Sequence, residues 1–170
     1  MEFLNKEKMT QAINLLKENK IIILPTDTIY GLSALVNNKN MVKINKLKNS
    51  ELFKPLIILV ADFNQANLFI DIDQEIKEIL LDEEPTTVIF KKNKAKKFWA
   101  VRLVKRQDLK EIILSTGPIF SSSVNKSGAD FLSLELDLVN FLGKEHCFYV
   151  GELRNKPSKI IDYINKFQKR

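Results

Sequence analysis

The sequence holds one cysteine, Cys147, and one histidine, His146, among 170 residues. A single thiol excludes an internal disulfide and a cysteine metal cluster, and it suits a reducing compartment. The lone histidine leaves a Cys-His or Ser-His catalytic pair unsupported, because neighbours on a strand face opposite sides. His146 is therefore read as a structural or surface residue. No Gly-x-x-x-x-Gly-Lys-Ser/Thr segment occurs, which excludes a P-loop cradle for phosphates. No apolar run is long enough to span a bilayer, and the first residues, Met1 to Lys6, carry no apolar signal core. Those absences predict a cytoplasmic protein with no membrane contact. Repeats, low-complexity tracts and Pro/Gly/Ser-rich linkers are missing too, so a single domain over residues 1–170 is expected.

What is present fits that expectation. A hydrophobic fraction of 45% in 170 residues can bury one substantial core. Lysine and arginine number 27 against 21 acids, for a net charge of +6. Such an excess suits polyanions such as nucleotides or RNA, although a Lys-rich proteome explains the same bias. Apolar periodicity predicts helices over Lys6–Asn19, Asn40–Lys48, Gln65–Phe69, Gln74–Leu81, Leu109–Leu114 and Leu134–Leu142. Apolar or β-branched runs predict strands at Ile21–Leu24, Leu56–Val60, Thr86–Phe90, Trp99–Val104 and Ile119–Ser122, with Phe148–Val150 and Ile160–Tyr163 as candidates for the last two. Lys91–Lys97 reads as a basic loop. Strands alternating with helices imply an α/β protein with a largely internal sheet.

Two segments concentrate short polar side chains just after a predicted strand, where an open α/β sheet usually keeps its ligand site. The first is Pro25-Thr26-Asp27-Thr28-Ile29-Tyr30-Gly31-Leu32, in which Pro25 is expected to end the pairing of Ile21–Leu24. The second is Ser121-Ser122-Ser123-Val124-Asn125-Lys126-Ser127-Gly128. Here Ser121 and Ser123 alternate on one face, and Gly128 permits a tight turn. Thr26 and Asp27 equally suit a helix cap, and the serine-rich segment an ordinary polar turn.

Five blocks in order resemble the YrdC-like threonylcarbamoyl-AMP synthases. Pro25–Leu32 is similar to the family's Pro-Thr-acid-Thr-x-aromatic-Gly-Leu. Lys48-Asn49-Ser50 and Lys54-Pro55-Leu56 resemble its Lys-x-Arg and Lys-Pro-Leu, with Ser50 in the arginine position. Ala100-Val101-Arg102 is similar to its Ala-Val-Arg strand. Ser121–Gly128 resembles its Ser-x-Ser-Ala-Asn-x-Ser-Gly, with Val124 replacing alanine. Pro157-Ser158-Lys159-Ile160-Ile161-Asp162 is similar to its closing segment. Further departures are Phe98 and Leu59, where the family often has threonine and histidine, and Glu83–Thr87, where a glycine is lost.

The resemblance implies a twisted, mixed parallel/antiparallel sheet with flanking helices and a concave ligand groove. It implies synthesis of threonylcarbamoyl-AMP and pyrophosphate from L-threonine, bicarbonate and ATP, for the threonylcarbamoyl-adenosine modification of tRNA. That chemistry needs positioning and charge stabilisation more than a nucleophile of the protein. ATP would meet Lys48, Ser50, Lys54, Ser123 and Asn125. L-threonine would meet Thr28, Arg102, Ser121 and Ser158, with the guanidinium on its carboxylate. An ion pair of Arg102 with Asp27 is the alternative for that arginine. Arg102, Lys91, Lys92 and Lys126 are candidates to make up for Ser50. Mg2+ is expected with ATP and no metal set is expected from the protein. A separate threonylcarbamoyl transferase is expected as product acceptor, and tRNA or double-stranded RNA contact through the basic groove is possible. The rival reading is a drifted YrdC-like RNA-binding module that adenylates nothing. Carbamoyl-adenylate chemistry of the hydrogenase-maturation kind is a third.

Overall fold

The computed structural model describes residues 2–92, 96–165 and 167–169. The middle of the expected basic loop, residues 93–95, lies outside them. The chain runs α1 (Lys6–Lys17), β1 (Ile22–Pro25), β2 (Tyr30–Leu35), α2 (Asn38–Leu47), β3 (Ile57–Val60), α3 (Phe63–Ala66), α4 (Gln74–Leu81), β4 (Thr86–Phe90), β5 (Trp99–Leu103), α5 (Gln107–Thr116), β6 (Ile119–Ser123), α6 (Glu135–Leu142), β7 (Lys159–Asp162) and β8 (Phe167–Gln168). The strands form one eight-stranded sheet in the order β1-β2-β6-β3-β5-β4-β7-β8. Two neighbouring pairs, β3/β5 and β4/β7, are parallel and the others antiparallel. The expected mixed α/β sheet is therefore present.

Alternation along the strands decides what each face does. One face carries Ile23, Tyr30, Leu32, Ile58, Val60, Val88, Val101 and Phe120, which bury against Met41 and Ile44 of α2, Ile76 and Leu80 of α4 and Leu138 of α6. The opposite face is covered over one part, where Ile22, Leu24, Leu59 and Ile119 pack under Ala12 and Leu16 of α1 and Ile112 and Ile113 of α5. Over the rest of that face polar residues, Thr87, Arg102 and Ser121, interrupt the apolar ones. Register sets Ser121 beside Ile57, Ala100 beside Ile57, and Thr87 beside Arg102. That uncovered stretch is the groove.

Four expectations need correction. Tyr30–Leu35 is a strand, hidden in the sequence by Gly31 and Ser33. Pro25 does not end the pairing of β1: it pairs with Tyr30. The missing N–H is tolerated there because β1 is an edge strand. Phe148–Val150 is no strand; a lone bridge between Ile23 and Cys147 and the bond from Phe148 N–H to the Ile23 carbonyl are what it makes. His146 lies in a 3-10 turn, Lys144–His146, with Nδ1 3.3 Å from Glu145 Oε1.

Short-range chemistry sets the ends of α2. Asn37 caps it by accepting from Asn40 N–H at 2.8 Å. At its other end Asn49 adopts φ of 53°, and Ser50 N–H returns to the Asn45 carbonyl at 2.9 Å. This left-handed stop turns the chain sharply, delivering Ser50–Pro55 to the groove.

Candidate active site

The groove holds a cavity of about 460 Å3, and all four threonine candidates, Thr28, Arg102, Ser121 and Ser158, line it. A smaller cavity of about 160 Å3 adjoins it, lined by all five ATP candidates, Lys48, Ser50, Lys54, Ser123 and Asn125. Lys54, Ser123 and Asn125 line both. Residues from distant parts of the sequence thus meet in two connected recesses.

Thr28 and Arg102 are nearly inaccessible, at 3% and 4% exposure. Arg102 Nη1 donates to Thr28 Oγ1 at 3.4 Å. Thr26 Oγ1 lies 3.2 Å from Thr28 Oγ1 and donates to the Ile29 carbonyl at 2.6 Å. Since the Thr26 proton is spent on that carbonyl, Thr28 is the donor between the two hydroxyls. The donor direction therefore runs from Arg102 through Thr28 to Thr26, which fixes each hydroxyl rotor. Ser158 is held from the next strand over by a 2.9 Å contact of its hydroxyl with Thr87 Oγ1.

Asp27 does not pair with Arg102, nor does it cap the helix that follows it. Its Oδ1 accepts the N–H groups of Lys105 at 3.1 Å and Arg106 at 2.6 Å, leading into α5. The Thr26–Ile29 turn is thereby tied to the end of β5, the strand that carries Arg102.

Lys48 is buried at 7% exposure. Its ammonium donates to the Ser123 carbonyl and to Asn125 Oδ1, with Ser123 Oγ a further 3.3 Å contact. Asn125 Oδ1 also accepts from Ser123 Oγ at 2.8 Å. Lys48 thus braces the serine-rich loop. Burial, and then the charge of Lys54, lower its pKa to about 8. Lys54, in contrast, is exposed and lines both cavities.

The other proposed substitutes for an arginine at position 50 are occupied elsewhere. Lys126 donates to the Leu47 carbonyl at 2.6 Å, and Lys92 to the Asn67 carbonyl at 2.8 Å. Neither they nor Lys91 line the smaller cavity among the described residues. Ser50 lies in it, and its Oγ is buried with no hydrogen-bond partner among the described residues. Leu59 is fully buried between sheet and helices, and Phe98 stands outside the groove. Leu59 and Phe98 therefore touch neither of these two cavities.

Sequence reasoning missed Asn45, Thr87 and Asp130. Asn45 is 1% exposed, and its Nδ2 donates to the carbonyls of Leu52 at 3.0 Å and Lys54 at 2.9 Å. It clamps the turn that carries Lys54. Its signal was available: four residues after Met41, it is a polar residue on the apolar face of α2. Asp130 lines the larger cavity just beyond the serine-rich loop.

Comparison with known proteins agrees with this fold. The family model Sua5/YciO/YrdC, described as "Telomere recombination", matches residues 14–169. The chain belongs to this family. A Methanocaldococcus jannaschii protein provisionally named threonylcarbamoyl-AMP synthase is 30% identical, over 93% of this chain and 83% of its own length. The threonylcarbamoyl-AMP synthase of Buchnera aphidicola (subspecies Acyrthosiphon pisum) is 26% identical, over 89% of this chain and 96% of its own. Among solved structures, Pyrococcus abyssi Sua5 complexed with L-threonine superposes with a TM-score of 0.81 at 25% identity. That match covers 96% of this chain and 53% of the Sua5 chain, so the chain spans about half of that protein. Among the described residues, no helix of this Sua5/YrdC-family protein is long and apolar enough to cross a membrane.

Proposed function

We propose that the protein is an L-threonylcarbamoyladenylate synthase, a nucleotidyltransferase that uses ATP as substrate. The amine of L-threonine takes up bicarbonate, losing water, to give the carbamate. A carbamate oxygen then attacks the α-phosphorus of ATP, and the bond to the bridging oxygen breaks to release pyrophosphate. The single observation that carries the reading is the meeting of two recesses at Lys54, Ser123 and Asn125. An amino acid on one side and a triphosphate on the other would touch there. Relatives named threonylcarbamoyl-AMP synthase and the L-threonine complex of a Sua5 protein support it.

In this reading Arg102 grips the threonine carboxylate, while Thr28, Ser121 and Ser158 orient the amino acid. Lys54 offsets charge on the phosphates as pyrophosphate departs, and Ser123 and Asn125 hold the nucleotide. Lys48, already committed to the loop, acts as its brace and as a second positive charge. Ser50 shapes the phosphate recess without the bidentate contact an arginine would make. Mg2+ arriving with ATP would rest on phosphate and water oxygens, since among the described residues no three acidic, histidine or cysteine side chains gather as a metal set. Residues 1–170 act as one unit, the product passes to a separate threonylcarbamoyl transferase for tRNA modification, and the cytoplasm is the site of action. tRNA or duplex RNA would approach through the basic groove.

The rival, an RNA-binding module without chemistry, is favoured by Ser50, while Leu59 and Phe98 lie outside the two substrate recesses. Pyrophosphate release from ATP and bicarbonate, with and without L-threonine, separates the two. Threonine-dependent release that disappears in Lys54→Ala and Ser123→Ala supports the synthase. A folded protein with no release above background supports the rival.

A further inference from the structure

A third recess, of about 330 Å3, contains none of the residues assigned to threonine or ATP. Its walls are mainly Met41, Phe53, Leu56, Phe98 and Trp99, with Lys97 at the rim, and no carboxylate is among its described lining residues. Two of the aromatic rings stand out into solvent, Phe53 at 68% exposure and Phe98 at 44%. Leu52 beside them is 43% exposed. Core packing does not require rings in such positions, and clustered exposed aromatics around a concave surface mark a binding site. The cations are arranged over the rings. Lys97 Nζ lies 4.1 Å from the centre of the Trp99 ring, and Lys91 Nζ 5.7 Å from that of Phe98. Lys39 and Lys96 are exposed next to recess residues in the chain, Lys39 following Asn38 and Lys96 preceding Lys97.

We propose that this recess takes an unpaired nucleobase of a single-stranded RNA segment, whose flanking phosphates lie on Lys39, Lys91, Lys96 and Lys97. A flat ligand with a π-face suits Phe53 and Phe98, and stacking of this kind tolerates any base. A polyanion suits a lining in which the one charged residue described is Lys97. The lysines come from two separate segments, Lys39 on α2 and Lys91, Lys96 and Lys97 ahead of β5, which suits a strand with several phosphates. A duplex is disfavoured because its bases are stacked on one another and offer no free face. The site is independent of the synthase reading and stands or falls separately.

Trp99 is the chain's single tryptophan, so its emission reports on the recess directly. The experiment titrates the full chain with a short single-stranded RNA, the same strand with abasic centres, a duplex and ATP. It reads Trp99 emission together with anisotropy of labelled RNA across salt concentrations. The single strand should quench Trp99 and the abasic strand should not. Phe53→Ala and Phe98→Ala should each weaken binding roughly 5- to 100-fold without altering the salt slope. Lys97→Ala should instead lower that slope by about 0.7, one single-strand phosphate. Both rings are exposed, so the variants should melt with the wild type, and Phe98→Ala should keep threonine-dependent pyrophosphate release. Equal binding of intact and abasic strands, tighter binding of duplex, or indifference to both phenylalanine variants would overturn the proposal. So would quenching by ATP that RNA does not relieve, which would give the recess to the nucleotide substrate.

Discussion

Gly31 and Ser121 approach so closely that a Cβ on Gly31 would lie 2.3 Å from Ser121 Oγ. The same Cβ would sit 3.3 Å from Thr26 Cγ2. The glycine is thus required by space, and what occupies the space is a hydroxyl assigned to L-threonine. Gly31→Ala should push Ser121 out of the groove and overpack the junction of β2 and β6. We expect a loss of about 1–3 kcal/mol in stability and at least an order of magnitude in threonine affinity. Thermal melting and threonine calorimetry on the same sample check both.

Lys48 should give stability and activity opposite pH trends. Its pKa is 10.5 ordinarily and about 8 in the fold, so the folded state disfavours the charged form. The cost of burying that charge is complete below about pH 8 and fades as pH rises towards 10.5. Wild type should therefore gain stability relative to Lys48→Met across that window. Pyrophosphate release should fall earlier, around pH 8, as the ammonium beside the phosphate recess loses its charge in the folded protein. Release that stays level to pH 10 would remove Lys48 charge from the mechanism.

Arg102→Lys keeps the charge and loses the planar fork. At 4% exposure the shorter ammonium cannot reproduce both the bond to Thr28 and a two-point grip on a carboxylate. Threonine affinity should drop at least tenfold while ATP affinity holds. Calorimetric titration of each substrate alone distinguishes this from a general disturbance of the groove.

On the far side of the turn, Arg106 and Asp108 form a buried pair with Nε 2.8 Å from Oδ1, at 0% and 3% side-chain exposure. Asp108 Oδ2 also accepts Leu4 N–H at 2.7 Å, strapping the start of the chain to α5. Asp108→Ala leaves a buried guanidinium without its counter-charge and should cost about 3–5 kcal/mol. Chemical denaturation should register that loss, and replacing both residues by apolar ones of similar size should restore most of it.

How much of this was legible in the sequence follows from the physics of each part. Helices with apolar stripes, such as α2 and α4, announced themselves because burial writes a period into the chain. The strand Tyr30–Leu35 did not, because its apolar run is broken by Gly31, which lines the groove, and by Ser33, which is fully buried and donates to the Gly31 carbonyl. The nine candidate side chains were legible chiefly through motif resemblance; all nine line the two recesses, with Lys54, Ser123 and Asn125 in both. Asn45 escaped because its work is done on the carbonyls of Leu52 and Lys54, and backbone acceptors have no residue identity to read. The engagement of Lys48 escaped for a related reason: its acceptors lie on a strand end 75 residues further along the chain. Chain order also hid the link from Asp27 to the lead-in of α5, since nothing local relates the two.

In the proposed reaction the two recesses join L-threonine, bicarbonate and ATP into one product. The most direct measurement is mass spectrometry of the reaction mixture with carbon-13 bicarbonate, before any transferase or tRNA is added. Threonylcarbamoyl-AMP carrying the label is expected, formed only when L-threonine is present and absent with Lys54→Ala. A folded protein that binds threonine and ATP yet forms no labelled adenylate would contradict it.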